Sequence, residues 1–316
     1  MQHPVLNIAV VGAGIMGHGV AQEYATAGFN VSIYALPRAR PHVVARIETN
    51  LALLVRDGLV TAEQARAAVE RVKVPETMAE AASEADFVVE AVVENLAVKQ
   101  DVFRELDAIC PAHAILATNT SGISITAIAS ATGRPDKVVG THYWNPPYLM
   151  PLVEVIRGKD TSDDTVATTR ALLERVGKTP IVVRKDVPGF LWNRLQFALL
   201  REASWLVENG ICSVEDVDLV VQKGLGRRLS LMGPFETADF GGLDTFAAIA
   251  GYLWKELSCE TEPRLVLERT EKGHLGVKSG RGFYDWPEDK ARAHRERRDS
   301  GLARLLLEDK QGGWGK

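Results

Sequence analysis

Cysteine is scarce: Cys110, Cys212 and Cys259 are the three in 316 residues, widely separated and odd in number. That pattern argues against a disulfide framework and against a clustered zinc site, so no metal is expected and a reducing, cytoplasmic setting is. No basic segment opens the N-terminal MQHPVLNIAVVGAG, and glycines break its apolar run far short of a membrane span. Neither a targeting signal nor a membrane partner is therefore expected. Without secretion, the glycosylation acceptor pattern at Asn119-Thr120-Ser121 carries no meaning. A large excess of one charge is missing too. The net charge is -4, and no Lys/Arg block of the phosphate-binding kind occurs before the C-terminal tail. Nucleic acid has no electrostatic claim on such a chain, and small molecules are the expected partners. Internal repeats and low-complexity tracts are also lacking.

What is present is an ordinary globular composition, 46% hydrophobic and 25% charged, over a length that one hydrophobic core rarely reaches. Two domains are expected. Up to about residue 184, short β-rich runs (NIAVV, VSIY, DFVVEAVV, AILAT, KVVGTHYW, PLVEVI, TPIVV) alternate with helical stretches, the pattern of a doubly wound sheet. Gly28 follows the first helix, Thr61 with Gln64 resembles a capping box, and Gly177 closes a helix beginning near Ser162. After Lys185-Asp186-Val187-Pro188-Gly189 the periodicity becomes helical, which puts a boundary between residues 1–185 and 186–316. GFLWNRLQFALLREASWLVENG reads as one long buried helix ending at Gly210, and the charge-laced run beyond Trp286 as a solvated terminal helix with one apolar edge.

In NIAVVGAGIMGHGVAQ, Gly12, Gly14 and Gly17 form G-x-G-x-x-G between a strand and a helix. The first glycine permits a tight turn, the second lets a pyrophosphate approach the backbone, and the third lets the helix pack closely. The expected fold is thus an α/β Rossmann-type dinucleotide-binding domain followed by an all-α C-terminal domain. An acidic residue should end the second strand and hold the adenosine ribose, yet VSIY is followed by Ala35. NAD is the expected cofactor. NADP is the alternative, with Arg38 and Arg40 available for a 2′-phosphate once that carboxylate is gone. His18, inside the glycine loop, reads as a solvent-facing helix residue.

THYWNPPYLMPLVEV places two ionisable groups, His142 and Glu154, among apolar neighbours. Burying either is costly unless it finds a partner. Twelve residues do not span one helix face, but two strands joined at Asn145-Pro146-Pro147 could set them opposite one another. A neutral imidazole can take the proton of a carbinol as hydride leaves its carbon. A carboxylate on the other ring nitrogen fixes the tautomer and stabilises the imidazolium. Taken singly, the histidine could be a satisfied core residue, Glu154 an edge-strand charge, Asn193 a surface amide, and Ser121 an N-cap for the helix near Ser124. The other histidines (His3, His42, His113, His274 and His294) have no partner pattern.

The pieces VVGAGIMG, EAVVENLAVKQDVFRELD, ATNTSGISIT, GTHYWNPP, LVEVI, KDVPGFLWNRL, GPFETADFGGLD and KSGRGFYDW together resemble the 3-hydroxyacyl-CoA dehydrogenase family, as far as about Trp286. The resemblance implies NAD-linked oxidation of an (S)-3-hydroxyacyl group to its 3-oxo form in fatty-acid metabolism, by a homodimer joined through its helical domain. It also implies that His142 is the catalytic histidine, with Glu154 its paired carboxylate and Ser121, Asn193 and Asn145 near the substrate. Cofactor contacts implied in the same way are Gly12, Gly14, Ile15, Met16, Gly17, Ala35, Asn119 and Ser121, with Glu94 and Lys99 close to the nicotinamide ribose.

Two features depart from that pattern. No lysine lies between Asn30 and Lys73, where family members acting on CoA esters carry them, although Arg46, Arg56, Arg66 and Arg71 remain. Trp144 and Trp192 flank the proposed catalytic residues, and bulky indoles narrow a pocket. Both features, with PPYLMPLVE and NRLQFALLREASWLVENG, resemble the branch that oxidises small free hydroxy acids, such as gulonate 3-dehydrogenase and a pyridoxine-breakdown dehydrogenase. A non-catalytic nucleotide sensor or structural protein is a third reading, since fold does not dictate function. Such a protein has no need of a base beside a carboxylate.

Overall fold

The structure is a computed structural model and describes residues 5–312. Its first half alternates strand and helix: β1 (Asn7–Val11), α1 (Ile15–Thr26), β2 (Asn30–Tyr34), α2 (Val43–Arg56), α3 (Ala62–Glu70), β3 (Val72–Lys73), α4 (Met78–Ala82), β4 (Phe87–Glu90), α5 (Leu96–Ile109), β5 (Ile115–Thr118), α6 (Ile125–Ala129), β6 (Val138–Tyr143), β7 (Leu152–Ile156), α7 (Asp163–Arg175) and β8 (Thr179–Val183). The strands form one sheet in the order β3-β2-β1-β4-β5-β6-β7-β8. Every neighbouring pair is parallel except β6 with β7. β4, β5 and β6 are buried at every position, as continuous Val/Ile-rich runs covered by helices on both faces must be.

Local chemistry explains the helix ends. Thr61 and Gln64 make the reciprocal capping box over α3, and Asn95 and Ser162 accept from the third residue of α5 and α7. Gly28 and Gly177 take the positive φ that turns the chain out of α1 and α7. Ser124 caps α6 by accepting from the Ala127 N–H, so that task does not fall to Ser121. The run DFVVEAVV contributes only Phe87–Glu90 as strand, because Glu90 turns its side chain back onto the Val92 N–H.

The rest of the chain is helical: α8 (Trp192–Glu208), α9 (Val214–Val220), α10 (Gly226–Leu229), α11 (Pro234–Gly241), α12 (Leu243–Leu253), α13 (Arg264–Glu271) and α14 (Glu288–Lys310). Two compact units result. One runs up to Arg194 and resumes at Asp299, and the other runs from Leu195 to Arg298. The Pro188–Trp192 segment belongs to the first unit because its backbone hydrogen-bonds Glu154. Past Asp299, Leu302, Ala303, Leu306 and Leu307 of α14 pack on the core of the first unit, which is the apolar edge put to use.

The reading of α8 as a buried helix is corrected: none of its residues is buried, and Leu195 and Phe197 are exposed. Among residues 195–298, only Ser258 and Ala291 are buried. No helix among the described residues is long and apolar enough to cross a membrane.

Candidate active site

Residues from distant parts of the sequence meet at the carboxyl ends of the parallel strands, where the strand order reverses between β1 and β4 and open α/β sheets take their ligands. Gly12 follows β1 with φ +104°, and a Cβ there would sit 2.6 Å from the Ala91 carbonyl oxygen. A Cβ on Gly17 would lie 1.8 Å from the Gly12 carbonyl oxygen, so the helix can begin only with glycine at that place. Gly14 has nothing within 4 Å of its Cβ position, which leaves its backbone open on the outer side. The first turn of α1 carries no acidic residue. Open backbone, close packing and the positive end of a helix are what a pyrophosphate requires, so the loop fits a dinucleotide.

His18 is not solvent-facing. It is buried, and its Nδ1 donates to the Gly14 carbonyl at 2.6 Å. Burial lowers its pKa, the Gly14 carbonyl works against that, and the charge of Arg46 adds to the lowering. A neutral ring bracing the glycine loop is the outcome. Arg46 itself donates to the Ala13 carbonyl at 3.3 Å.

Behind the loop lies a polar ladder. Glu90, fully buried at the end of β4, accepts from the Lys99 ammonium and the Val92 N–H at 2.7 Å each, and from the Thr118 hydroxyl at 2.6 Å. Lys99 also lies 3.4 Å from Glu94. Glu94 in turn accepts from the Thr120 hydroxyl (2.6 Å) and the backbone N–H groups of Ser121 (2.8 Å) and Gly122 (3.2 Å). Burial opposes the charge of Glu94, but the Thr120 hydroxyl, Lys99 and the Ser121 N–H outweigh it and keep its pKa below the usual carboxylate range. Glu90, Thr118 and Thr120 were not singled out from the sequence. The only signal was a carboxylate in an otherwise apolar strand, nine residues ahead of a lysine on the next helix. Asn119 spends its side-chain oxygen on the Tyr143 N–H at 2.9 Å, locking β5 to β6, and Ala35 is buried at the end of β2.

On antiparallel β6 and β7, His142 stands directly opposite Glu154, with Nδ1 2.7 Å from Oε2. Because the carboxylate can only accept, Nδ1 carries the proton and Nε2 is left with its lone pair. The other oxygen of Glu154 accepts from the backbone N–H groups of Leu191 (2.8 Å) and Trp192 (3.0 Å). Burial alone would raise the pKa of Glu154. The hydrogen bond from His142 and the two backbone N–H groups outweigh it, so the net shift is downward and the group stays ionised. Two aromatic rings flank the imidazole, and a third stacks on one of them. Trp144 lies 4.2 Å away, Phe190 approaches edge-on at 5.6 Å, and Trp192 stacks on Trp144 at 4.2 Å and 29°. Phe190 holds a left-handed φ of +52°, an uncommon conformation for a side-chain-bearing residue, next to Gly189 at +78°. Ser121 and Asn193 are brought together, since Asn193 Nδ2 donates to the Ser121 carbonyl at 2.7 Å. Asn145 is exposed at the turn beyond β6.

The family model for the 3-hydroxyacyl-CoA dehydrogenase NAD binding domain matches residues 7–187, and that for the C-terminal domain of the same enzymes matches residues 189–286. The chain belongs to the 3-hydroxyacyl-CoA dehydrogenase family. It is an NAD-dependent oxidoreductase of that type, and among its relatives is a probable 3-hydroxybutyryl-CoA dehydrogenase of Bacillus subtilis, 42% identical over 287 residues, covering 90% of this chain and 98% of the relative. A 5-formyl-3-hydroxy-2-methylpyridine 4-carboxylate 5-dehydrogenase of Mesorhizobium japonicum is 38% identical over 315 residues, 97% of this chain and 100% of the relative. A solved structure described as that dehydrogenase, an NAD+ dependent dismutase, superposes with a TM-score of 0.90 at 36% identity and covers 96% of this chain and 99% of its own. The dehydrogenase family models stop before α14, whereas the Mesorhizobium relative spans nearly the whole chain.

Proposed function

We propose that the chain interconverts an (S)-3-hydroxyacyl group, carried as 3-hydroxyacyl-CoA, and its 3-oxo form, with His142 as general base. The observation that carries this reading is the 2.7 Å contact between His142 Nδ1 and Glu154, which leaves Nε2 free to take a hydroxyl proton. NAD, when bound on the Gly12–Gly17 loop, supplies the hydride acceptor. Ile15 and Met16 lie between those glycines and Ala35 directly follows β2, where the adenosine ribose would be held. Glu154 orients the imidazole and stabilises it once protonated. Ser121 and Asn193 sit where they could meet the oxygen that becomes a carbonyl, and Asn145 is assigned to the substrate side. Glu94 positions the Ser121 backbone, and Lys99 holds Glu94 in place.

A small free hydroxy acid, gulonate-like or pyridoxine-catabolite-like, is the second reading. Two observations favour it: the paired indoles beside His142, and the full-length match to the Mesorhizobium relative. Two of the arginines that stand in for the missing lysines at a CoA phosphate are also engaged elsewhere, Arg46 with the glycine loop and Arg56 with Asp57 at 2.8 Å and Ser300 at 3.1 Å. Initial rates with 3-hydroxybutyryl-CoA, free 3-hydroxy acids, gulonate and a hydroxymethylpyridine carboxylate decide between them. Turnover of the CoA ester supports the first reading, and exclusive turnover of a free acid retires it.

The partner is a second copy of this chain. A unit of helices with almost no buried residue, exposing Phe235 and Phe240 at 86% and Trp254 at 74%, lacks a core until another apolar surface covers it. Cytoplasmic residence accords with the three free cysteines.

A further inference from the structure

We propose that the stacked indoles of Trp144 and Trp192 select the substrate. Trp144 donates its Nε1–H to an oxygen of a compact, anionic hydroxy acid, and Trp192 closes the space that a bulkier acyl carrier would need beside His142. This rests on His142 being the base and on the second reading of the function, a small free hydroxy acid rather than a CoA ester.

Trp144 lies just past the end of β6, two residues after His142, and the two rings lie 4.2 Å apart. Several polar groups near the imidazole already have partners: Glu154 satisfies His142 Nδ1 and both backbone N–H groups behind it, and Asn193 spends one of its two amide N–H groups on the Ser121 carbonyl. Trp144 Nε1 is different: it is buried and has no hydrogen-bond partner. A buried donor without an acceptor is costly, and such groups in native proteins call for an explanation. A substrate oxygen held next to the base supplies one. An anionic oxygen is the strongest acceptor for it, because charge-assisted hydrogen bonds exceed neutral ones.

The second half of the argument concerns space. Trp192 stacks on Trp144 at 29°, and its backbone N–H is one of the two that hold Glu154. The ring therefore rests on a segment already pinned to the catalytic carboxylate. A substrate that needs Trp192 to leave the stack must also disturb the group that orients the base. A compact acid avoids that cost, whereas a branched or carrier-linked acyl group does not.

Two substitutions test this in the full chain with saturating NAD. Trp144→Phe keeps the ring and deletes the N–H, while Trp192→Leu removes the stacked ring and keeps the backbone N–H that Glu154 accepts. For each, kcat and KM are measured with a hydroxymethylpyridine carboxylate, with 3-hydroxybutyrate and with 3-hydroxybutyryl-CoA. Trp144→Phe should raise KM for the preferred free acid roughly 10- to 100-fold, with a smaller effect on the CoA ester. Trp192→Leu should shift the ratio of kcat/KM toward the CoA ester by at least roughly tenfold. Should that variant be insoluble, Trp192→Phe should shift the ratio in the same direction by less. Equal changes for all substrates in both variants, or a wild type that prefers the CoA ester, overturn the proposal. His142→Gln separates this inference from the reaction it rests on: turnover retained there removes the base, while turnover lost there with selectivity unmoved in the tryptophan variants sinks the selection alone.

Discussion

His142 and Glu154 meet because the antiparallel register pairs them one to one, and a slip of a single residue would turn Glu154 to the other face of the sheet. Replacing His142 by Ala should therefore leave NAD binding nearly intact while kcat falls about 10²- to 10⁴-fold, the range of a lost general base. Fluorescence titration with NAD and steady-state rates provide the two readouts, and unchanged turnover would take His142 out of the chemistry. Glu154→Gln should cost rate as well, by permitting the wrong tautomer. Its stability effect depends on pH in a defined direction. The folded-state pKa of Glu154 is depressed, so the stabilisation is present above the ordinary carboxylate range and lost as pH falls through the lower folded value. The melting-temperature gap between wild type and Glu154→Gln should accordingly narrow on acidification. The pair was legible from sequence because two ionisable groups in an apolar stretch demand a partner. His18 was misread because the glycine loop signals a helix start without telling which way the first turn faces.

At the scale of elements, the strands announced themselves as β-branched runs, and the capping box on α3 and the glycine stops on α1 and α7 stand where their local chemistry requires. The two-residue β3 was too short to leave a pattern. The turn between β6 and β7 shows how an element outside the chemistry sets it. Lys178, buried just past α7, donates to the carbonyls of Pro147 (2.6 Å) and Met150 (3.2 Å) and pairs with Glu23 on α1. Nothing around Lys178 in the sequence hints at this, since its partners lie about 30 and 155 positions away. Lys178→Met should cost about 3–5 kcal/mol, as expected when one partner of a buried ion pair is removed. Urea denaturation reads that loss. A fall in kcat at 25 °C, in protein still fully folded, would show that the turn holds His142 in register, and unchanged stability would contradict the anchoring role.

Over the whole molecule, the second unit departs furthest from what its sequence suggested. A helix with a broad apolar face, such as α8, reads as buried, and the single chain leaves it bare. Sequence periodicity reports that a face must be covered and is silent on whether the cover comes from the same chain. Sedimentation equilibrium at micromolar concentration should therefore give twice the chain mass, and the thermal midpoint should rise with protein concentration, as mass action requires of a dimer. A monomer with a concentration-independent midpoint would contradict this. The return of α14 to the first unit has a consequence for synthesis. Leu302, Ala303, Leu306 and Leu307 complete a core whose other members precede Arg194, with the entire second unit translated in between. On the ribosome the nucleotide-binding half must wait, its flank unsealed, until the whole second unit has been translated, and chaperones that shield nascent apolar surface have that interval in which to act.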